Sequence, residues 1–138
     1  GNYSHKTSLE KPPMNKTAII VYSDPKSGSE EALGRLFNAL FLAYELQEKK
    51  RDVAVIFQGA GTSWPAELVN VDHPAHALYE ATKGTVAAIC GGCADVFGAT
   101  ENAKKTGLKL DYDKAIPGTS GILDVSAYLD RGYSIVNF

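Results

Sequence analysis

The chain has only two cysteines among its 138 residues. That is too few for the disulfide framework of a small secreted domain, and it points to a reducing, cytoplasmic setting. It has no apolar run approaching the roughly 20 residues that a membrane-spanning helix requires. Nor does it have an excess of charge of one sign: 14 basic and 16 acidic residues are interleaved for a net charge of −2. No basic stripe is left for nucleic acid or an anionic membrane, so neither is expected as a partner. GxGxxG and GxxxxGK[ST] are both missing, and no cofactor is called for. What remains is an ordinary globular composition, 44% hydrophobic and 22% charged. A chain of this length buries about 68% of its unfolded surface, enough for a real core.

The first residues, GNYSHKTSLEKPP, are polar, end in a double proline and lack the apolar segment of a signal peptide. Residues 1–16 are expected to form a flexible arm ahead of a single domain over 17–138, with Met14 a candidate natural start.

Beyond the arm, TAIIVYS is a β-branched run closing on Asp24-Pro25, and it reads as a strand buried on both faces. From Ser29 to Lys50 the period changes: Leu33, Leu36, Phe37, Leu40 and Tyr44 recur at helical steps behind a serine cap and two glutamates. DVAVIFQG and GTVAAIC read as the second and third strands, with a helix from Pro74 to Lys83 between them. Further helices are expected over Cys93–Lys105 and from Ser120 or Gly121 to Asp130, with a weak strand inside LKLDYDKAIPG and a last one at YSIVNF. Strand and helix in alternation imply right-handed crossovers. The expected fold is α/β: a mostly parallel five-stranded sheet between two helical layers. Ligands in such sheets bind outside the carboxyl ends of the strands. The segments delivered there are SDPKSGS with Lys26, QGAGTSW with Gln58, CGGC, and IPGTSG with Pro117. On the long helix, Ala39, Leu42 and Leu46 form a second apolar stripe, which predicts self-association through that helix.

The chemistry concentrates in AAICGGCADVFGA. Cys90 ends a strand and Cys93 falls in the first turn of the next helix, where unpaired N–H groups and the helix dipole favour thiolate over thiol. Gly91 and Gly92 lack a β-carbon and let a substrate, or another backbone, approach the sulfur. The plain alternative is a tight turn with small buried cysteines. His73 and His76 have HxxH spacing, but they open a helix at the opposite sheet edge from Cys90, so no metal site is expected. SDPKSGSEEA has the position of a flavodoxin phosphate loop, yet reads better as an Asp-Pro turn with a capping serine. Trp64 reads as a packing residue.

TAIIVYSDP, the long helix, DVAVIFQGAGT, ICGGCADVFG and YLDRGYSIVNF together resemble the DsrE/DsrF-like family, which includes TusD-type sulfur-relay subunits, over Thr17–Phe138. The most specific features are Cys90 with Gly98 after it, and Gly132-Tyr133 before the last strand. The resemblance implies a three-layer fold with five parallel strands, assembly into trimers or hexamers, and a cysteine that carries sulfur as a persulfide between donor and acceptor proteins. By that match Cys90 is the sulfur acceptor. Two departures stand out: Val96 and Phe97 replace arginines often found before the glycine, and Cys93 is an added thiol. Cys93 attacking a Cys90 persulfide would release sulfide and leave a disulfide. Two other readings stay open: a thiol-disulfide redox protein using Cys90 and Cys93 with Pro117 facing them, and an assembly module that binds a small anion or nucleotide.

Overall fold

The computed structural model describes residues 16–138. The expected arm and candidate start at Met14 lie outside the described residues, save that Lys16 already belongs to the first strand. Five strands, β1 (Lys16–Val21), β2 (Asp52–Phe57), β3 (Val86–Cys90), β4 (Leu110–Asp111) and β5 (Tyr133–Asn137), form one sheet in the order β4-β3-β2-β1-β5. Every pairing is parallel. A parallel sheet must be covered on both faces, which is why its strands read as unbroken apolar runs. Ile19, Val21, Val55, Phe57 and Ile89 point to one face, and Ala18, Ile20, Ile56, Ala88 and Cys90 to the other. Each large side chain so buried contributes about 1.5–3 kcal/mol.

The first face carries α1 (Glu30–Glu48), α2 (Trp64–Leu68), α3 (His76–Thr82) and α5 (Thr100–Lys104). The second, thinner layer is formed by Leu123 and a single helix, α6 (Val125–Asp130). Ser29 caps α1 as expected: its Oγ accepts the Ala32 N–H at 3.0 Å, with Glu30 and Glu31 in the first turn. Among the described residues no helix is long and apolar enough to cross a membrane.

Several elements differ from the sequence reading. The helix expected over Cys93–Lys105 is two: α4 (Gly91–Val96) and α5, broken at Gly98, whose φ of 70° only glycine adopts freely. The helix expected from Pro74 starts at His76, and the last one starts at Val125 behind an Asp124 cap. Helix α2 was not anticipated. It is anchored by Trp64, which is 2% exposed and donates its Nε1–H to the Ser23 carbonyl at 2.8 Å.

The second stripe of α1 is also corrected. Ala39 and Leu46 are buried and Leu42 packs against the same core, because these residues flank Leu36, Leu40 and Ala43 on one wide buried face. The apolar side chains that α1 leaves open are Phe41 and Tyr44, beside Leu78 of α3.

Candidate functional site

Strand register builds the site. Val21 pairs with Phe57, and Phe57 with Ile89. One residue further along each strand, Tyr22, Gln58 and Cys90 form a row across the carboxyl edge of β1, β2 and β3. Side chains alternate along a strand, so all three lie on the face of Ile20, Ile56 and Ala88. Cys90 is 0% exposed and Gln58 6%, whereas Tyr22 is 46% exposed. The Tyr22 hydroxyl donates to Gln58 Oε1 at 3.0 Å. Cys93, the third residue of α4, is half-buried beside this row, and both thiols are free.

The two thiols have opposite proton affinities. Cys90 is lowered to about 6, first by hydrogen bonding with the Cys93 side chain, and further by the Leu123 and Cys93 N–H groups and the Gln58 side chain, against the opposing effect of burial. By strict geometry the Cys90 side chain closes no cap on α4, so the contribution of the Cys93 N–H is a loose contact. Cys93 is raised, first by the Cys90 sulfur that its proton serves and then by burial. The charge therefore sits on Cys90 and the proton on Cys93. Helix α4 has six residues. Local donors, rather than a long helix dipole, hold the thiolate.

Cys90 is not perched in the open; it is sealed, and Cys93 stands nearer the solvent. The open sides of Gly91 and Gly92 are filled by this chain, at Gly92 by another stretch of backbone, one of the two occupants expected there. A β-carbon on Gly91 would meet the Tyr112 ring at 2.5 Å, and one on Gly92 the Gly121 carbonyl oxygen at 2.5 Å. Lys26 is directed elsewhere: its Nζ donates to the Phe97 carbonyl at 3.3 Å, and it lines a cavity of about 370 Å³ to which neither cysteine contributes.

Pro117 is exposed in a loop closed by the Lys114–Ile122 bridge, and the residue of this segment that reaches Cys90 is Leu123. Asp95 takes no part in activation. It ties that loop to α4 by accepting from Ser120 and Thr100 at 2.5 Å each and from Tyr112 at 3.2 Å. The loop around Lys26 is a turn whose hydroxyls bond within it, Ser27 Oγ to the Asp24 carbonyl and to Ser29 Oγ. His76 Nδ1 bonds the Leu68 carbonyl, and His73 Nδ1 accepts the Ala75 N–H. Among the described residues no three histidine, cysteine or acidic side chains come together as a metal would need. Tyr22, Leu123 and Gly59, whose backbone bonds the Cys93 side chain, were missed as site residues. Tyr22 was legible, since it follows its strand as Gln58 follows the next.

The DsrE/DsrF-like family model matches residues 15–138. This chain belongs to that family. A relative, Uncharacterized protein MJ0733 of Methanocaldococcus jannaschii, is 32% identical over 101 residues, which cover 73% of this chain and 78% of that protein. No solved structure matches. Membership in the DsrE/DsrF-like family suggests a sulfur-relay-type function, with partners that pass sulfur.

In this DsrE/DsrF-like chain the thiol pair also predicts how stability varies with pH. The Cys90 pKa falls on folding, from about 8.5 when unfolded to about 6. Its contribution is complete above the unfolded value and is lost as pH drops through the folded one. The Cys93 pKa rises on folding, so above about 8.5 the unfolded thiol ionises while the folded one does not, and stability falls. The pair alone gives a maximum near pH 8.5, with a limiting slope of about 1.4 kcal/mol per pH unit on either side. Denaturant melts across this range should show the maximum in the natural protein and a flattened profile in the Cys90→Ser/Cys93→Ser double variant. Superimposable profiles would contradict the assignment.

Proposed function

We propose that the protein accepts sulfane sulfur on Cys90 as a persulfide and relays it to a partner protein. The observation that carries this reading is the buried Cys90 sulfur set beside the Cys93 thiol at the carboxyl edge of the sheet, an arrangement that favours the charge on Cys90 and the proton on Cys93. A thiolate is the form of cysteine that attacks sulfur. In the accepting step the Cys90 thiolate attacks the outer sulfur of a donor persulfide. A new S–S bond forms at Cys90, the donor's S–S bond breaks, and the donor leaves as a thiolate that takes up a proton. Cys93 holds such a proton within reach. An acceptor thiolate then removes the outer sulfur by the same displacement. Because Cys90 is sealed and Cys93 is not, the donor reaches it from the Cys93 side. Burial then keeps the persulfide from adventitious thiols. In this reading the protein is a cytoplasmic homo-oligomer, a trimer or hexamer as the family resemblance implies, and the open side of α1 at Phe41 and Tyr44 is available for assembly.

The side-chain contact of the two cysteines favours one second reading. Cys93 gives up its proton and attacks the inner sulfur of a Cys90 persulfide as the thiolate, so that the persulfide S–S bond breaks, a Cys90–Cys93 disulfide forms and the outer sulfur leaves as hydrosulfide, which takes up the proton. Incubation of the reduced protein with a persulfide donor, followed by intact mass, separates the two. The relay reading expects a gain of one sulfur atom, abolished by Cys90→Ser and retained by Cys93→Ser. A loss of two hydrogens with no sulfur kept, requiring both cysteines, supports the redox reading. No change in mass leaves an assembly module with incidental thiols.

A further inference from the structure

Gln58 is an amide with a donor end and an acceptor end, and its two neighbours in the row need different ends. A thiolate only accepts hydrogen bonds, so the Nε2 end belongs against Cys90. The Oε1 end is then left to face Tyr22, whose hydroxyl donates to it at 3.0 Å. Reversing the amide would set an oxygen against the sulfur anion and leave the buried Nε2 donors without the anion they serve, a costly arrangement in a site this dry. The rest of the row is fixed. The Gln58 N–H donates to the Val21 carbonyl at 3.1 Å, and the Tyr22 N–H to the Phe138 carbonyl at 2.8 Å. The Tyr22 ring lies over Gly59, where a β-carbon would touch its Cδ1 at 3.5 Å. Tyr22 is thus held at its backbone, ring and hydroxyl while remaining the exposed end of the row.

We propose that Tyr22 is a positioning residue for the Cys90 sulfur and acts through Gln58, its phenol fixing the end of the Gln58 amide that meets the sulfur. The functional meaning of this relay rests on the sulfur-acceptor reading of Cys90. A donor in series polarises the next, so the phenol strengthens the Gln58 N–H as well as aiming it. Burial first, and then the neighbouring cysteines, raise the proton affinity of Tyr22, which keeps it a donor through the physiological range. The other titratable groups facing Cys90 are Cys93 on α4 and, across the register on β4, Asp111. Asp111 is engaged by Lys109 at 3.8 Å and by the Asp113 N–H at 2.9 Å.

The test follows the ultraviolet absorbance of the Cys90 thiolate against pH in a Cys93→Ser background, where only one thiol remains to absorb. Tyr22→Phe keeps the ring over Gly59 and removes only the hydroxyl. It is expected to raise the midpoint so that the thiolate-to-thiol ratio at a given pH falls about threefold to tenfold. Gln58→Leu is expected to raise it at least as far, and adding Tyr22→Phe to Gln58→Leu is expected to change nothing more, because the relay is already cut. An unmoved midpoint in Tyr22→Phe overturns the proposal, and so does a Tyr22→Phe effect that survives in full beside Gln58→Leu. Intact mass of the natural protein after persulfide treatment separates this from the wider reading. The expected midpoints in a protein that takes up no sulfur uphold the relay and remove the sulfur-acceptor reading. Sulfur uptake with an unmoved midpoint does the reverse.

Discussion

Replacing Cys93 by alanine is expected to lift the Cys90 pKa from about 6 to at least the ordinary cysteine value of about 8.5. The Cys93 thiol is the largest single influence holding Cys90 ionised. When it goes, the N–H groups of Leu123 and of residue 93 and the Gln58 side chain remain, but the burial of a fully enclosed sulfur opposes them. The expected displacement exceeds two units, which is more than a hundredfold loss in the thiolate-to-thiol ratio at neutral pH. At pH 7 the ionised fraction falls from about nine-tenths to about three per cent, so sulfur acceptance at limiting donor should slow about thirtyfold, since the thiol form attacks negligibly. Cys93→Ser retains a hydroxyl donor at the same position and should keep most of the depression. A thiolate absorbance titration of the two variants reads both outcomes. A Cys93→Ala protein that still titrates near 6 would show that the Leu123 and residue-93 N–H groups and Gln58 hold the charge without the Cys93 thiol, and that thiol would lose its place in the site.

This dependence marks where the sequence stopped being informative. Cys90 and Cys93 were legible as a pair at a strand-to-helix junction, and Gln58 as a residue delivered to the same edge. Their burial was not, because what encloses Cys90 comes from Leu123 and the segment after β4, distant in sequence and weakly patterned. Gly91 and Gly92 show the same limit. A glycine pair beside a sulfur reads as room for a ligand until Tyr112 and Gly121 are seen to occupy it.

Strands β1, β2 and β3 were readable because burial on both faces demands continuous apolar runs, and the half-buried edge strand β5 because Ile135 and Val136 keep a β-branched signature. β4 signals faintly, since only Leu110 and Asp111 pair. On α1, helical spacing located the apolar residues but not the width of the face they form. That width is set by the sheet and α3 together, and so Ala39 and Leu46 were assigned to the wrong surface. Gly98 carried the break between α4 and α5 in plain view, as a glycine inside an otherwise helical pattern.

Gly61→Ala is expected to be the most damaging addition of a single methyl group to this fold. The added β-carbon would lie 2.1 Å from the Val21 carbonyl oxygen, 2.8 Å from its carbon and 3.3 Å from the Tyr22 Cα. All three are backbone atoms at the end of a strand paired on both sides, so no side chain can swing clear. Overpacking of this kind costs about 1–3 kcal/mol when side chains can adjust, and about 3 kcal/mol or more is expected where only main chain can move.

The same oxygen of Val21 accepts the Gln58 N–H, and the Gly61 N–H donates to the Gln58 carbonyl at 2.9 Å. Relief by moving the 59–63 turn therefore drags Gln58 out of line with Cys90. Loss of stability and a raised Cys90 pKa should appear together. Gly34→Ala provides the opposite sign in the same chain: it lies inside α1 with nothing within 4 Å of its added carbon, and alanine there should stabilise by about 0.5–1 kcal/mol. Denaturant unfolding of both variants checks the pair. If Gly61→Ala unfolds with the midpoint of the natural protein, the turn is not pressed against β1, and the row from Tyr22 to Cys90 loses the contact that aligns it.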